Sequence, residues 1–157
     1  MEGVEGAWQE VNEVKLVSNI TYVRKATEKA MKKAARMIGG TVAGHAVEAC
    51  PVDTGLLRNS ITFALGGEPP NITSYQSNDT DKNGKKIERK EGQYTENAPK
   101  DADNEVTVYV GTNVQYAPYH ELGAPNINLP ARPFLRPAME NYTSEIEQII
   151  ETCFRGM

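Results

Sequence analysis

Apolar residues recur at three- and four-residue steps along the first third of the chain, which is the spacing of one face of a helix. This spacing predicts a long helix over residues 19–49, ended by Pro51. Gly39, Gly40 and Gly44 weaken the second half of the helix and permit a kink or the close approach of another backbone. The apolar positions are Ile20, Val23, Thr27, Ala30, Met31, Ala34, Ile38, Val42, His45 and Ala49.

Alternating apolar and polar residues predict two strands after this helix. Val106, Val108 and Val110 lie on one face of the later strand, and residues 111–113 form a tight turn after it. The earlier strand is predicted over residues 57–65. Helices at both ends and a small, mostly antiparallel sheet between them give an α+β fold.

A turn is predicted between the long helix and the earlier strand. Asp53 can accept hydrogen bonds from the backbone N–H groups that follow it, and Gly55 can adopt a positive φ. Both residues therefore shape the backbone at this point.

Residues 66–104 differ in composition from the rest of the chain. They are rich in Gly, Pro, Asn and charged residues and contain few large apolar side chains, so they cannot bury much surface. We interpret this stretch as a long protruding loop or hairpin whose tip is Asp81-Lys82-Asn83-Gly84. An arm of this kind can become ordered when subunits assemble.

A run rich in proline and arginine precedes the last helix, which is predicted from Pro137 to Phe154. Its residues are Pro130, Arg132, Pro133, Phe134, Leu135, Arg136 and Pro137. The prolines fix φ and remove hydrogen-bond donors, so the run holds one extended shape. Two alternatives follow for the run: either Phe134 and Leu135 anchor in a neighbouring subunit, or the run packs against its own sheet.

The composition narrows the class of protein. A chain of 157 residues suits one domain, here taken as residues 1–157. Within it, residues 1–6 fray or form a short edge strand, and residues 7–17, with Trp8, form a short helix or strand. The net charge of −4 argues against a dedicated nucleic-acid protein, although a basic face at residues 24–36 keeps DNA contact as an alternative. No membrane span or leader is found, and Cys50 and Cys153 indicate no disulfide framework. No metal or cofactor is expected.

Two enzymatic alternatives rest on short motifs. Asp53-Thr54-Gly55 is the signature tripeptide of aspartic proteases, in which a homodimer supplies two carboxylates that share a proton. The tripeptide here follows a predicted helix rather than a strand, and Leu56 replaces the small residue usually found next. A cysteine hydrolase using His45 and Cys50 is a weaker alternative, because residues five apart near one helix end rarely align a base with a thiol.

Three motifs together resemble a known family. They are Pro51-Val52-Asp53-Thr54-Gly55 with Leu57, Ser60 and Ile61; Val110-Gly111-Thr112 with Tyr116, Ala117, Glu121 and Gly123; and Pro130-Ala131-Arg132-Pro133-Phe134-Leu135-Arg136-Pro137-Ala138. In this order and spacing they resemble the small head–tail joining proteins of long-tailed bacteriophages, also called neck, tail-component or tail-completion proteins. The resemblance covers most of the chain except residues 66–104.

The resemblance implies an α+β subunit that assembles into a ring at the head–tail junction and has no catalytic activity. Implied partners are other copies of the chain, portal-side connector or head-completion proteins, and tail-terminator or tail-tube proteins. The resemblance also implies assembly in the bacterial host cytoplasm and a place in the virion. The expected contact residues are Arg132, Phe134, Leu135, Arg136, Tyr116, Tyr119 and Glu121, and the expected backbone-shaping residues are Asp53, Gly55, Gly111 and Gly123.

Overall fold

The computed structural model describes residues 19–78, 80–103, 105–155 and 157. The expectations for residues 1–6 and 7–17, including Trp8, lie outside the described residues. Over the described ranges the chain forms five α-helices, a 3-10 turn and four short strands.

Helix α1, Ile20–Ala49, is the longest element and extends for about 45 Å at 1.5 Å per residue. Its prediction is confirmed within one residue, and the chain turns to extended backbone at Cys50 directly before Pro51. Gly39 lies where α1 meets the first strand pair: a Cβ added there would come within 2.6 Å of the Phe63 ring. The glycine therefore permits close packing of side chains from the sheet, and the helix continues through it.

The strands form two separate antiparallel pairs. Strand β1, Thr62–Leu65, pairs with β4, Val108–Gly111, and strand β2, Ser74–Gln76, pairs with β3, Glu91–Gln93. The first pair packs against α1, and the second forms the base of the hairpin. The α+β prediction is confirmed, with the expected sheet divided into two ribbons.

The predicted strand over residues 57–65 is wrong in its first half. Helix α2, Leu56–Ser60, precedes the strand, because Leu57 and Ile61 are four residues apart and both enter the core from a helical turn. The Ser60 hydroxyl closes this turn by donating to the Leu57 carbonyl at 2.6 Å. Strand β4 begins at Val108, two residues later than expected.

The predicted last helix is divided in two. Helix α4, Leu135–Glu140, and helix α5, Thr143–Arg155, are separated at Asn141 and Tyr142. The Thr143 hydroxyl donates to the Glu140 carbonyl at 3.0 Å, a local bond that competes with continuation of the helix. Pro137 lies in the first turn of α4, where its missing N–H removes no helical hydrogen bond.

The core lies between α1, the β1–β4 pair and helices α2 to α5. Its members are Val42, Ala43, Ala46, Cys50, Leu57, Ile61, Val114, Ala117, Phe134 and Ala138. Most of these side chains are small, so the one large aromatic among them, Phe134, fills much of the space where the elements meet.

Candidate functional site

Helix α3, Ala117–Leu122, is joined to α4 through the carboxylate of Glu121. One oxygen accepts from the backbone N–H groups of Phe134 and Leu135 at 2.8 and 3.0 Å, and the other accepts from Arg136 at 2.9 Å. Glu121 therefore satisfies N–H groups that open α4 and lack partners within the helix. Glu121 thus caps a helix whose first residue, Leu135, is 14 positions further along the chain.

These contacts change the acidity of Glu121. Burial alone raises the pKa of the carboxyl, but the three backbone N–H groups and the nearby Arg136 outweigh burial and hold the pKa below its ordinary value. A lowered pKa means that the charged carboxylate stabilises the fold above the ordinary pKa of about 4.3, and that this contribution is lost as pH falls through the folded-state pKa.

Glu121→Gln is expected to lower the free energy of unfolding at pH 7 by about 1–2 kcal/mol, because an amide cannot accept three backbone hydrogen bonds as a carboxylate does. The difference from the parent chain should shrink as pH falls below about 4. Urea unfolding between pH 3 and 7 measures this difference. Glu147→Gln, an exposed carboxylate with no ion pair among the described residues, is the matched control. A pH-independent effect of Glu121→Gln would contradict the capping role.

Gly123, which ends α3, requires glycine for two reasons. Its φ of +77° with ψ of 170° lies in a region that glycine alone adopts readily. A Cβ there would also lie 2.8 Å from the Ala131 nitrogen. The close approach includes Arg132, the residue after Ala131, because the Arg132 N–H donates to the His120 carbonyl at 2.7 Å. Gly123 thus lets the proline run lie against α3.

Gly123→Ala is expected to destabilise the chain by about 1–3 kcal/mol through backbone strain and the contact with Ala131. Gly111→Ala is the matched control. Gly111 ends β4 without a positive φ, and a Cβ there would have no atom within 4 Å. The control should therefore change stability by less than about 0.5 kcal/mol in the same thermal unfolding experiment. Equal effects of the two substitutions would contradict this account of Gly123.

The proline run packs against its own subunit at Phe134. This side chain is 0% exposed within the core, so it is not available to a neighbour. Leu135 is half-buried against the same core. Of the two alternatives for the run, the structure supports intramolecular packing for both residues. Arg132 and Arg136 are exposed, and their guanidinium groups make no hydrogen bond or ion pair among the described residues.

An exposed apolar surface lies on α3 and the 3-10 turn after it, Pro125–Ile127. Tyr119, Leu122 and Ile127 are 56%, 65% and 67% exposed. Tyr119 and Leu122 are three residues apart on α3 and so share one side of the helix. We call these three residues the α3 face; the Arg132 N–H bonds the carbonyl of the neighbouring His120, and the Arg136 N–H bonds the carboxylate of Glu121. The sequence analysis did not predict Leu122 and Ile127 as contact residues. The three-residue step from Tyr119 to Leu122, which places both on one side of a helix, is the sequence signal for this surface.

The Asp53-Thr54-Gly55 tripeptide forms the turn between α1 and α2. Gly55 has φ +81°, and the Leu56 N–H donates to the Thr54 hydroxyl at 3.4 Å, so Thr54 rather than Asp53 accepts from the following backbone. Asp53 is exposed on this turn, with helices on both sides. An aspartic protease needs paired carboxylates that share a proton, and the geometry of Asp53 gives that alternative no support.

A pocket of about 350 Å³ lies beside this turn. Its walls come from the turn itself, the hairpin, α3 and the proline run. The Tyr116 phenol lies next to the start of α2: burial raises its pKa, and the Leu57 N–H acts in the opposite direction. The Tyr116 ring meets the His120 ring edge to face, with centroids 5.9 Å apart. The other lining residues are Pro51, Val52, Asp53, Thr54, Gly55, Leu56, Lys82, Lys90 and Arg132.

The cysteine-hydrolase alternative also lacks support. Burial raises the pKa of the Cys50 thiol to about 11, so at neutral pH it is protonated and a poor nucleophile. His45 faces α5 instead of Cys50. Its Nε2 lies 2.8 Å from a Glu145 carboxylate oxygen, and its ring stacks on Tyr142 with centroids 3.4 Å apart. His45 therefore joins α1 to α5.

The hairpin of residues 66–104 is fastened to its own subunit. Asp81 fixes the tip by accepting from the N–H groups of Asn83 and Lys85, both at 2.9 Å, as the sequence predicted for this turn. Nearer the base, the Tyr94 hydroxyl donates to the Ser60 carbonyl at 2.7 Å, and the Asn78 N–H donates to the Thr54 carbonyl at 2.8 Å. We therefore do not propose an arm that becomes ordered only on assembly.

The described residues form no metal site and no membrane span, and part of the basic face of α1 is paired. Within the described ranges, no group of three or more potential ligands could hold a metal ion. None of the described helices is long and apolar enough to cross a membrane. On the basic face of α1, Lys32 pairs with Glu28 and Arg36 pairs with Glu68, at 2.8 and 2.7 Å.

Comparisons with known proteins agree with the motif resemblance. A family model described as "Bacteriophage HK97-gp10, putative tail-component" matches residues 15–123, which include the Asp53–Gly55 turn and all of α3. The uncharacterized protein MJ0331 of Methanocaldococcus jannaschii is 38% identical over 50 residues, or 32% of this chain. The match spans 37% of that relative's length. No solved structure matches the chain significantly.

Proposed function

The chain belongs to the HK97-gp10-like family of bacteriophage tail components, and from that membership we propose that it forms part of a ring of identical subunits at the head–tail junction. It acts there by shape and contact, without catalysis. In this role it completes the neck or tail and joins it to the filled head, between portal-side connector or head-completion proteins and tail-terminator or tail-tube proteins. The virion is its site of action, after assembly in the bacterial host cytoplasm.

The observation that carries this proposal is the α3 face, which exposes three large apolar side chains on a rigid support. Glu121 and Gly123 hold α3 against the proline run, so the face loses little conformational entropy on docking. A cluster of exposed apolar residues next to exposed cations is typical of a protein–protein contact. Arg132 and Arg136 border the face, where each can pair bidentately with a carboxylate.

A second copy of the chain is the proposed occupant of the α3 face. The outward side of α5 carries exposed Glu147 and the partly exposed Ile150, together with Glu151, whose carboxylate lies 3.8 Å from the Arg155 guanidinium. Apolar and acidic groups of this kind complement a face of apolar residues bordered by arginines. Two unlike surfaces that meet head to tail close into a ring when the rotation between copies permits. Tyr116 and Tyr119 lie on the α3 side of this contact.

Deletion of the gene for this chain tests the proposal in particles. Electron microscopy of the lysate should show filled heads and separate tails that are not joined, and expression of the chain from a plasmid should restore joined particles. Joined particles of normal appearance in the deletion lysate would overturn the proposed role. The proposed role would also be overturned if the purified chain had catalytic activity and its deletion had no effect on particle assembly.

A further inference from the structure

The pocket beside the Asp53–Gly55 turn has a positive rim, and two of its three cations lie outside the motifs and the α3 face. Lys82, Lys90 and Arg132 line it, and Asp53 is the one acidic residue among its lining residues. Three cations against one carboxylate leave a local excess of two positive charges, in a chain whose net charge is −4. The positive field is therefore local to this pocket wall and opposes the charge of the whole molecule.

These three cations are not neutralised by any residue that the structure describes. All three side chains are exposed, and none makes an ion pair or a side-chain hydrogen bond among the described residues. Asp53 likewise has no ion pair there. The charges of the rim are thus free to bind a ligand. Elsewhere on the surface, Arg36 and Lys32 are paired with glutamates.

The backbone beneath each cation is held in place. Lys82 lies in the hairpin tip that Asp81 closes. Lys90 is held by two hydrogen bonds with Ser77: the Ser77 N–H donates to the Lys90 carbonyl at 2.7 Å, and the Lys90 N–H donates to the Ser77 hydroxyl at 2.8 Å. The N–H of Arg132 bonds the His120 carbonyl at 2.7 Å. The three charges thus converge on one pocket from fixed attachment points, which reduces the ordering cost of binding.

His120, which lines the pocket, has a buried polar atom: its Nδ1 makes no hydrogen bond with any described residue. A buried nitrogen without a hydrogen bond is unfavourable. Tyr116 lines the same wall. Anionic oxygen ligands suit this set of groups, whereas cationic or purely apolar ligands do not.

We infer that this pocket is a docking site for an acidic peptide segment of another protein chain, whose carboxylates bind between Lys82, Lys90 and Arg132. A volume of about 350 Å³ accommodates two or three side chains, and clustered cations around fixed pockets are a recurring means of recognising acidic segments. The inference deepens the proposed function by naming the chemistry of a partner. It relies on that function only for the source of the peptide.

The test uses the full chain and a blocked hexapeptide of alternating Asp and Glu, with an Asn and Gln hexapeptide of the same length as the neutral probe. Titration followed by amide NMR in 20 mM salt should shift the signals of residues 53–57, Lys90 and Arg132 with the acidic peptide only. Raising the salt to 300 mM should weaken binding, because exposed charges are screened. Binding on the isolated chain can fail while ring assembly succeeds, so the two proposals are tested separately.

Arg132→Gln and Lys90→Gln should each weaken binding of the acidic peptide about three- to tenfold, the range expected for loss of one charged contact. Both side chains are exposed, so the variants should keep the parent's unfolding temperature. Lys29→Gln removes an exposed, unpaired lysine from α1 and should leave binding unchanged. Equal binding of the neutral peptide, or equal losses in Lys29→Gln, would overturn the inference. Tighter binding of a 12-base-pair DNA duplex or of inorganic phosphate through the same residues would overturn it also.

Discussion

Phe134→Ala is expected to destabilise the folded subunit by about 3–5 kcal/mol, the usual cost of truncating a fully buried phenylalanine. The ring is 0% exposed at the point where α1, α3 and α4 meet, and the surrounding residues are mostly alanine and valine. Small neighbours cannot move far enough to fill the cavity. Equilibrium unfolding in urea should show the midpoint falling with little change in slope.

Tyr119→Ala is the matched control for this prediction. It truncates an aromatic side chain of similar size that is 56% exposed, and it should change the stability of the isolated chain by less than about 0.5 kcal/mol. If Phe134→Ala left the stability of the chain unchanged while preventing assembly, Phe134 would be an intermolecular anchor, and the intramolecular packing described here would be contradicted.

The double variant Leu122→Asp with Ile127→Asp is expected to fold normally and to abolish assembly. Both side chains are more than 60% exposed in the subunit, so aspartate is well solvated there. Burial of two unpaired carboxylates in a contact between copies costs several kcal/mol each, which is more than enough to reduce association over a hundredfold. Circular dichroism checks the fold, and electron microscopy of complemented particles counts joined heads and tails.

Ile20→Asp with Val23→Asp is the control for the double variant. These residues are also large, apolar and exposed, but they lie in the first turn of α1, away from the α3 face. Particles should join normally with this control. Normal joining with the Leu122 and Ile127 variant, or equal failure of both, would show that the α3 face is not the contact.

Much of the fold could be predicted from local periodicity. Helix α1 repeats its apolar pattern over eight turns and is bounded by Pro51, so its limits were predicted within one residue. Helix α2 was missed because five residues are too short for a helical period to be told from alternation. The division between α4 and α5 was missed because it depends on the hydroxyl of Thr143, whose neighbours on both sides have helical patterns.

The candidate site depended on contacts that local patterns do not encode. Glu121 caps a helix whose first residue is 14 positions away, and sequence spacing predicts no contact over that distance. The burial of Phe134 was undecided because two adjacent apolar residues, Phe134 and Leu135, show no period between prolines. The pocket is assembled from the α1–α2 turn, the hairpin, α3 and the proline run, which only the fold brings together. The three motifs indicated that residues around the turn, α3 and the proline run are functional. The structure then showed which of these residues are exposed.

High-resolution electron microscopy of intact particles, with this chain traced in the density, shows directly whether the α3 face joins neighbouring copies. We expect a closed ring of identical copies between the head connector and the tail tube. In that ring Tyr119, Leu122 and Ile127 of each copy are buried against the neighbouring copy, and Phe134 stays in its own core. A particle in which this chain is missing, or is present as separate copies with the α3 face in solvent, would contradict the account.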